Sequence, residues 1–556
     1  MVDEQVVGAV PRRLEEETSK YLLQIVEQLE NFRGDDSQED REVLVENVIL
    51  ELNSRSRICS TMCDRNTNLV IEKLVLLCTP IRLNQIFKEC EPYVVFLARN
   101  RYSSHVLQAM IARQAYLSKN NSDDLPSYDA IVSFAKPLLK EISWLSKEIS
   151  ASHVIRSTIC LLAGIPVVAE KKGKSSKHQH SVSLSQPLET LQCEPGKFHI
   201  SASVGFSVPP VFHEMLVETV ETLLESSTTR QLQLMLSDAR SSAVLALIVR
   251  IFSNEDLLGA NASQSSLRLC QRVLEFNPND VTTHSLGCET FYGMAGDSAG
   301  SFFLQAVIEC APIDYLLPLL LQTIAQKSSN NESLTDQQSA MDYAVDNAAN
   351  FVLQSAMRRL CALIESGDTS NGLGLNEAAT NILSALSSSK AFTTLSKDRG
   401  GVIIRLLHLA RSLGRTSTPA EETKMWSHII GSQLIHSWIA TDVATDGKDF
   451  QADELFAAYL DKLFQPKESK VDQIDSKERK NVKGKAPEHS DDGAATLIIA
   501  KLLGELLASP ARTVANSAAV ALSKVRPDSM RIVALTGQLS KCVLDSFFTH
   551  FGSSLE

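Results

Sequence analysis

At several places in this chain a short hydrogen-bonding side chain and a longer one stand four residues apart, with a flat residue directly after the first. Ser104 and Gln108 bracket His105, Ser301 and Gln305 bracket Phe302, and Asn350 and Gln354 bracket Phe351. Ser152 and Arg156 bracket His153 in the same way. Two hydrogen-bonding groups one helical turn apart can grip the edge of a nucleic-acid base while a ring beside them stacks on its face. Such stacking is worth about 1–3 kcal/mol per base. Arg156 can instead lie flat on a base or contact a phosphate.

Weaker copies occur at Asn68-Leu69-Val70-Ile71-Glu72, Ser242-Ala243-Val244-Leu245-Ala246 and Gly401-Val402-Ile403-Ile404-Arg405, where Arg405 has the same choice as Arg156. Arg512–Asn516 and Lys541–Asp545 close the series. Leu69, Ala243, Val402 and Cys542 stack poorly, and Ala246 cannot read a base edge.

A helix is the element that must position these groups. At about 100° per residue the first, second and fifth residues share one arc, and the intervening aliphatic pair falls on the other side. The apolar stripe must then pack on neighbouring helices, and the polar trio is expected to project away from them. From Asn68 to Ser104 is 36 residues, from Ser104 to Ser152 is 48, and from Ser301 to Asn350 is 49. Intervals of this size hold two or three short helices and their turns. A unit so small cannot bury its own apolar face and needs neighbours on both sides.

Elsewhere the apolar residues also recur at three- and four-residue spacing, as in Lys20–Leu29, Arg41–Leu52, His213–Leu224 and Ser265–Leu274. Pro209-Pro210 suits a helix start. No strand pattern competes, so the class is all-α and the architecture an α-solenoid. The 556 residues fit such an array, which has no single-core size limit. Nine copies of the motif are recognised, with a tenth candidate around Ala495–Leu502.

Two segments break the pattern. Residues 165–205 include a Ser-, Lys- and His-rich stretch, and residues 466–492 are highly charged without aromatics, so both are expected to be disordered. They separate N-terminal repeats over 1–164, central repeats over 206–465 and C-terminal repeats over 493–556. Lys171-Lys172-Gly173-Lys174 and the Lys477–Lys485 stretch suit nuclear-localisation signals or solvated loops equally. The last helix, Leu544–Phe551, stops without a capping unit, so further C-terminal repeats are expected.

The net charge of −12 is awkward for a nucleic-acid binder, whose usual footprint is basic. Much of the acid, however, lies outside the motif copies, as at Glu15-Glu16-Glu17 and Asp123-Asp124. The eleven cysteines are scattered, and Cys78, Cys160, Cys310 and Cys361 read as reduced core thiols. No stretch of 18 apolar residues is present, and no membrane association is expected. Cys59 and Cys63 lack the partners of a zinc site. Gly296-Asp297-Ser298-Ala299-Gly300 matches a nucleophile elbow, which needs a strand–turn–helix context that an all-α chain does not supply. Neither a catalytic role nor a cofactor is expected.

The trio resembles that of the pumilio (PUF) repeat family, which carries it on the second helix of each repeat. There, Asn with Gln favours uracil and Ser with Gln favours adenine. The resemblance implies uracil at Asn350 and Gln354, and adenine at Ser104 with Gln108 and at Ser301 with Gln305. Tyr21–Leu29, Val43–Leu52, Asn68–Leu74, Arg101–Gln108, Ser150–Leu161, Gly300–Gln305 and Asn347–Gln354 are similar to stretches of its nucleolar branch, the nucleolar protein nine family.

That likeness implies a curved stack of about eleven repeats. It implies a nucleolar protein that binds single-stranded precursor ribosomal RNA around the 3′ end of the small-subunit RNA and restrains premature cleavage there. Pre-ribosomal assembly factors are the implied protein partners, and the chain is expected to be a monomer. Two rivals stay open: a pumilio-like regulator of messenger RNA, and an armadillo- or HEAT-like protein-binding solenoid, which the acidic charge favours.

Overall fold

The computed structural model describes residues 11, 13–31, 38–119, 128–165, 205–326, 339–366, 372–386, 395 and 399–416. The motif copies after Arg405, the tenth candidate, the final helix, the charged linker and nearly all of the 165–205 insertion lie outside them. Every regular element among the described residues is helical. The chain divides into two compact units, Met1–Pro312 and Ile313–Glu556.

In the first unit the repeat has three parts. A long helix is followed by a short one and then by the helix that carries the trio. The long helices Gln38–Ser54, Pro80–Cys90, Asp129–Lys140, Pro210–Ser226 and Ala260–Leu274 pack each on the next. The trio-bearing helices Asn68–Leu77, Ser103–Lys119, Ile149–Leu162, Ala239–Phe252 and Gly300–Cys310 form a second row, again each on the next. Ile58–Cys63, Val94–Arg99, Ile142–Leu145 and Thr229–Leu236 are the short members, and the longer His284–Gly296 takes the same place in the fifth repeat, each packed on the trio helix that follows.

The sequence explains this order. Pro80 and Pro210 open long helices, where a missing N–H costs nothing. The apolar pairs are sealed in the core: Val106 and Leu107, Val154 and Ile155, Val244 and Leu245, and Phe303 and Leu304 are fully buried. Their burial supplies most of the drive for stacking. Polar contacts then fix the register. Arg82 Nε meets Glu46 Oε2 at 2.7 Å, Arg268 meets Glu221 at 2.7 Å, and Arg250 meets Glu309 at 3.0 Å, each between successive repeats.

The chain leaves the third repeat through Gly164, whose φ of +69° favours glycine. The Phe206 N–H donates to the Gly164 carbonyl at 2.8 Å, so the two ends of the insertion are held together.

The second unit repeats the plan. Ile313–Gln322 packs on Gly372–Leu386, Ala340–Val345 packs on Ala349–Glu365, and the trio-bearing Ala349–Glu365 packs on Gly400–Thr416. Cys78 and Cys160 are buried as expected, whereas Cys310 and Cys361 are half-buried. Among the described residues no single helix is long and apolar enough to cross a membrane.

Candidate nucleic-acid interface

Each trio lies near the N-terminal end of its helix, but the three slots differ in exposure. The small residue does not project into solvent as the helical wheel suggested. Asn68, Ser104, Ser152, Ser242, Ser301 and Asn350 are all buried. Each copy begins where the chain has just turned into the helix, and that turn covers the first slot. The hydroxyls satisfy themselves locally: Ser104 Oγ donates to the Arg101 carbonyl at 3.2 Å, Ser152 Oγ to Ile149 at 3.0 Å and Ser301 Oγ to Ser298 at 3.1 Å. Asn350 Nδ2 donates to the carbonyls of Asp346 and Asn347, both at 2.8 Å.

The ring slot is the exposed one. Phe302 is 56% and Phe351 54% accessible, among residues that are otherwise buried on either side. His105 and His153 are half-buried, on adjacent helices. Leu69 fills the slot with an aliphatic side chain that is also exposed. In the copy at Gly401 the arrangement fails: Val402 is buried, and Gly401 is the exposed residue.

The fifth slot is graded. Gln305, Gln354, Arg156 and Arg405 are half-buried, while Glu72, Gln108 and Ala246 are buried. Gln354 Nε2 donates to Asn350 Oδ1 at 3.0 Å, and Gln108 Nε2 to the Ser104 carbonyl at 3.0 Å. Arg156 sits 2.9 Å from His153 Nδ1. Arg405 is 3.4 Å from His408 Nδ1.

Burial, then the Arg156 guanidinium and the His105 ring, pulls His153 down to about 4, so the ring is neutral near pH 7. Burial and Arg101 lower His105 as well. Burial pushes the Glu72 carboxyl up to about 7, and neither Glu72 Oε2 nor Asn68 Oδ1 has a hydrogen-bond partner. Among the described residues the first copy therefore holds two buried oxygens without a hydrogen-bond partner.

One recurring residue escaped the sequence reading. Four positions before the small slot, Asp64, Asn100, Asp238, Asp297 and Asp346 each accept backbone N–H bonds with Oδ1 and so fix the turn into the trio helix. The signal was an Asp or Asn at constant offset. At Asp297 it hid inside the nucleophile-elbow match. Asp297 Oδ1 accepts from Ala299 N at 2.9 Å and Gly300 N at 2.6 Å, and a Cβ on Gly300 would come within 2.8 Å of the Met294 carbonyl. Asp297 and Gly300 thus answer to the turn, not to a nucleophile.

The same turns carry basic residues. Arg65, Arg101, Lys147 and Arg240 are exposed at the entrances to four successive trio helices, although the whole chain is acidic. Asp238 lies 3.6 Å from Arg240 and so offsets part of that charge. A row of cations beside a row of rings can follow a phosphate backbone and stack its bases.

The NOP9-like PUF repeat domain profile matches residues 59–550, most of the chain and all of the trios described above. The chain belongs to the NOP9-like PUF repeat family. Among curated relatives, Nucleolar protein 9 of Coccidioides posadasii is 23% identical over 461 residues, covering 74% of this chain and 58% of its own. Nucleolar protein 9 of Candida tropicalis is 23% identical over 299 residues, covering 50% of this chain and 40% of its own. The chain thus spans about half the length of such relatives. Their shared name agrees with the nuclear, nucleolar localisation expected from the sequence. Of solved structures, APUM23-GGAAUUGACGG aligns with a TM-score of 0.50 at 16% identity, over 97% of this chain and 98% of that one. APUM23-GGAGUUGACGG aligns with a TM-score of 0.50 at 15% identity, over 97% and 98%. At those identities the likeness concerns the fold, which is that of pumilio-repeat solenoids.

Proposed function

We propose that this NOP9-like chain binds single-stranded segments of precursor ribosomal RNA and controls small-subunit (18S) processing by steric masking of the bound strand. The observation that carries the reading is the ring slot, the exposed position in an otherwise buried first turn, most clearly at Phe302 and Phe351. Beside those rings stand Gln305 and Gln354, half-buried side chains able to meet a base edge. His105, Gln108, His153 and Arg156 line the corresponding positions earlier in the row, with Asn68 and Glu72 at its start. Arg405 contributes a cation, with the buried Val402 in the ring slot of its copy. The bound strand excludes a nuclease, so no catalytic group of this chain takes part. The relatives' name supports ribosome assembly as the setting, with pre-ribosomal factors as further partners.

The test is protection. Purified chain is mixed with RNA spanning the 3′ end of small-subunit RNA and its downstream spacer, and cleavage by a single-strand nuclease is mapped. A protected window on this RNA, absent on a scrambled one, is expected. Equal cleavage of both overturns the reading. The acidic total charge favours a protein-binding scaffold instead, and that rival predicts no protected window on either RNA.

A further inference from the structure

The five trio-bearing helices of the first unit form one uninterrupted row, yet the fourth differs in kind. In Ala239–Phe252 the ring slot holds Ala243 and the fifth slot holds Ala246, which is buried. Neither side chain can stack on a base or hydrogen-bond to its edge. The small residue is committed as well. Ser242 Oγ donates to the Ala299 carbonyl at 2.6 Å, across to the turn of the following repeat. The corresponding hydroxyls of Ser104, Ser152 and Ser301 bond within their own turns.

The position is therefore closed by packing. Arg250 and Glu309, at 3.0 Å, fasten the same two helices further along. The repeat nevertheless keeps the features that hold a strand: its turn is fixed by Asp238, and Arg240 is exposed, its guanidinium donating to the carbonyl of the preceding repeat's exposed Lys147 at 2.7 Å.

We propose that the Ala239–Phe252 repeat is a built-in spacer. RNA crosses it with its backbone held and one base unread, between the site of Ser152, His153 and Arg156 and the site of Ser301, Phe302 and Gln305. The inference rests on the RNA-binding reading above. It makes the recognised sequence discontinuous, with a position of no base preference inside the segment read by this unit.

The test selects binders from a random single-stranded RNA pool with the full chain. The same pool is then selected with Gln305→Ala and Arg156→Ala, which mark the two flanking positions. The expected profile has one flat position between them. Selected RNA is next resynthesised with an abasic nucleotide at each position in turn. The flat position is expected to tolerate it within about twofold, and the flanking ones to lose about tenfold or more. In an Ala243→His/Ala246→Gln double variant that keeps the wild-type melting temperature, the flat position acquires a preference and the others do not change.

Directly adjacent flanking positions, or an abasic loss at the flat position as large as at its neighbours, overturn the spacer. The abasic series decides even where the double variant fails to fold. A pool that yields no motif, or a motif indifferent to Gln305→Ala and Arg156→Ala alike, overturns the RNA reading itself.

Discussion

Gln354 donates its side-chain amide to Asn350 Oδ1 at 3.0 Å, so the two groups proposed to meet one base edge hold each other in place. Asn350 is further anchored by two backbone carbonyls, whereas Gln354 is half-buried. The two substitutions should therefore separate. Gln354→Ala is expected to weaken RNA binding by about 1–3 kcal/mol and to change stability by under about 0.5 kcal/mol. Asn350→Ala is expected to weaken binding and also to cost about 1–3 kcal/mol of stability through the orphaned carbonyls. Titration calorimetry and urea unfolding on each variant measure the split.

The recurring turn residue gives a second prediction. Asp346 Oδ1 accepts from the N–H groups of Ala348 and Ala349, both at 2.8 Å. Asp346→Ala removes the one oxygen that accepts both bonds and should destabilise the second unit by about 0.5–2 kcal/mol, whereas Asp346→Asn keeps most of the stability. The urea midpoints of the two variants are the readout. Equal loss in both would mean that the charge, not the Oδ1 acceptor, matters.

These results bear on what the sequence could reveal. The aliphatic pairs were legible because helical periodicity dictates their burial, and Val352 with Leu353 are sealed as the pattern requires. The helices expected over Lys20–Leu29 and Arg41–Leu52 exist and run longer, as Glu16–Asn31 and Gln38–Ser54. Burial of Ser104, Ser152 and Asn350 was not legible. A five-residue window on a helical wheel carries no record of the turn folded back over its first residue. The turn itself was signalled by Asp238, Asp297 and Asp346, but only a comparison of copies at fixed offset makes that visible. At Gly401 the pattern matched in letters while Val402 turned inward, because two glycines leave nothing in the sequence to pin which residue faces solvent.

Gly164 supplies a third prediction. Its positive φ, and the Phe206 carbonyl that a Cβ would strike, leave no room for a side chain. Gly164→Ala should destabilise the first unit by about 2 kcal/mol or more. A Gly259→Ala control, also at positive φ but with open space around it, should cost less. Thermal unfolding of the pair checks the ranking.

Two carboxyls, the buried Glu72 and the half-buried Glu89, set a pH dependence. Burial raises both Glu72 and Glu89 from 4.5 to about 7. The folded state thus keeps protons that the unfolded chain releases near pH 4.5. Their contribution is full below that value and is lost as pH rises to about 7. Glu89→Gln mimics the protonated form, and Gln can still accept the Ile58 N–H that Glu89 Oε1 accepts at 3.1 Å. The variant should gain on the wild type by up to about 3 kcal/mol between about pH 4.5 and 7, then hold level. His153, lowered to about 4, acts in the opposite sense, with stability lost as pH falls below 6.5. Only the difference between variant and wild type isolates the carboxyl. A gap that does not change with pH would contradict its raised titration.

The most direct measurement is the affinity of the full chain for RNA spanning the 3′ end of small-subunit RNA, compared across Phe302→Ala, Phe351→Ala and Tyr116→Ala. Tyr116 is as exposed as the two phenylalanines but lies near the far end of its helix, away from the trio. The account predicts a loss of about 1–3 kcal/mol for each phenylalanine and none for the tyrosine, with all three variants folded as the wild type. Undiminished affinity in both phenylalanine variants, or an equal loss at Tyr116, would contradict it.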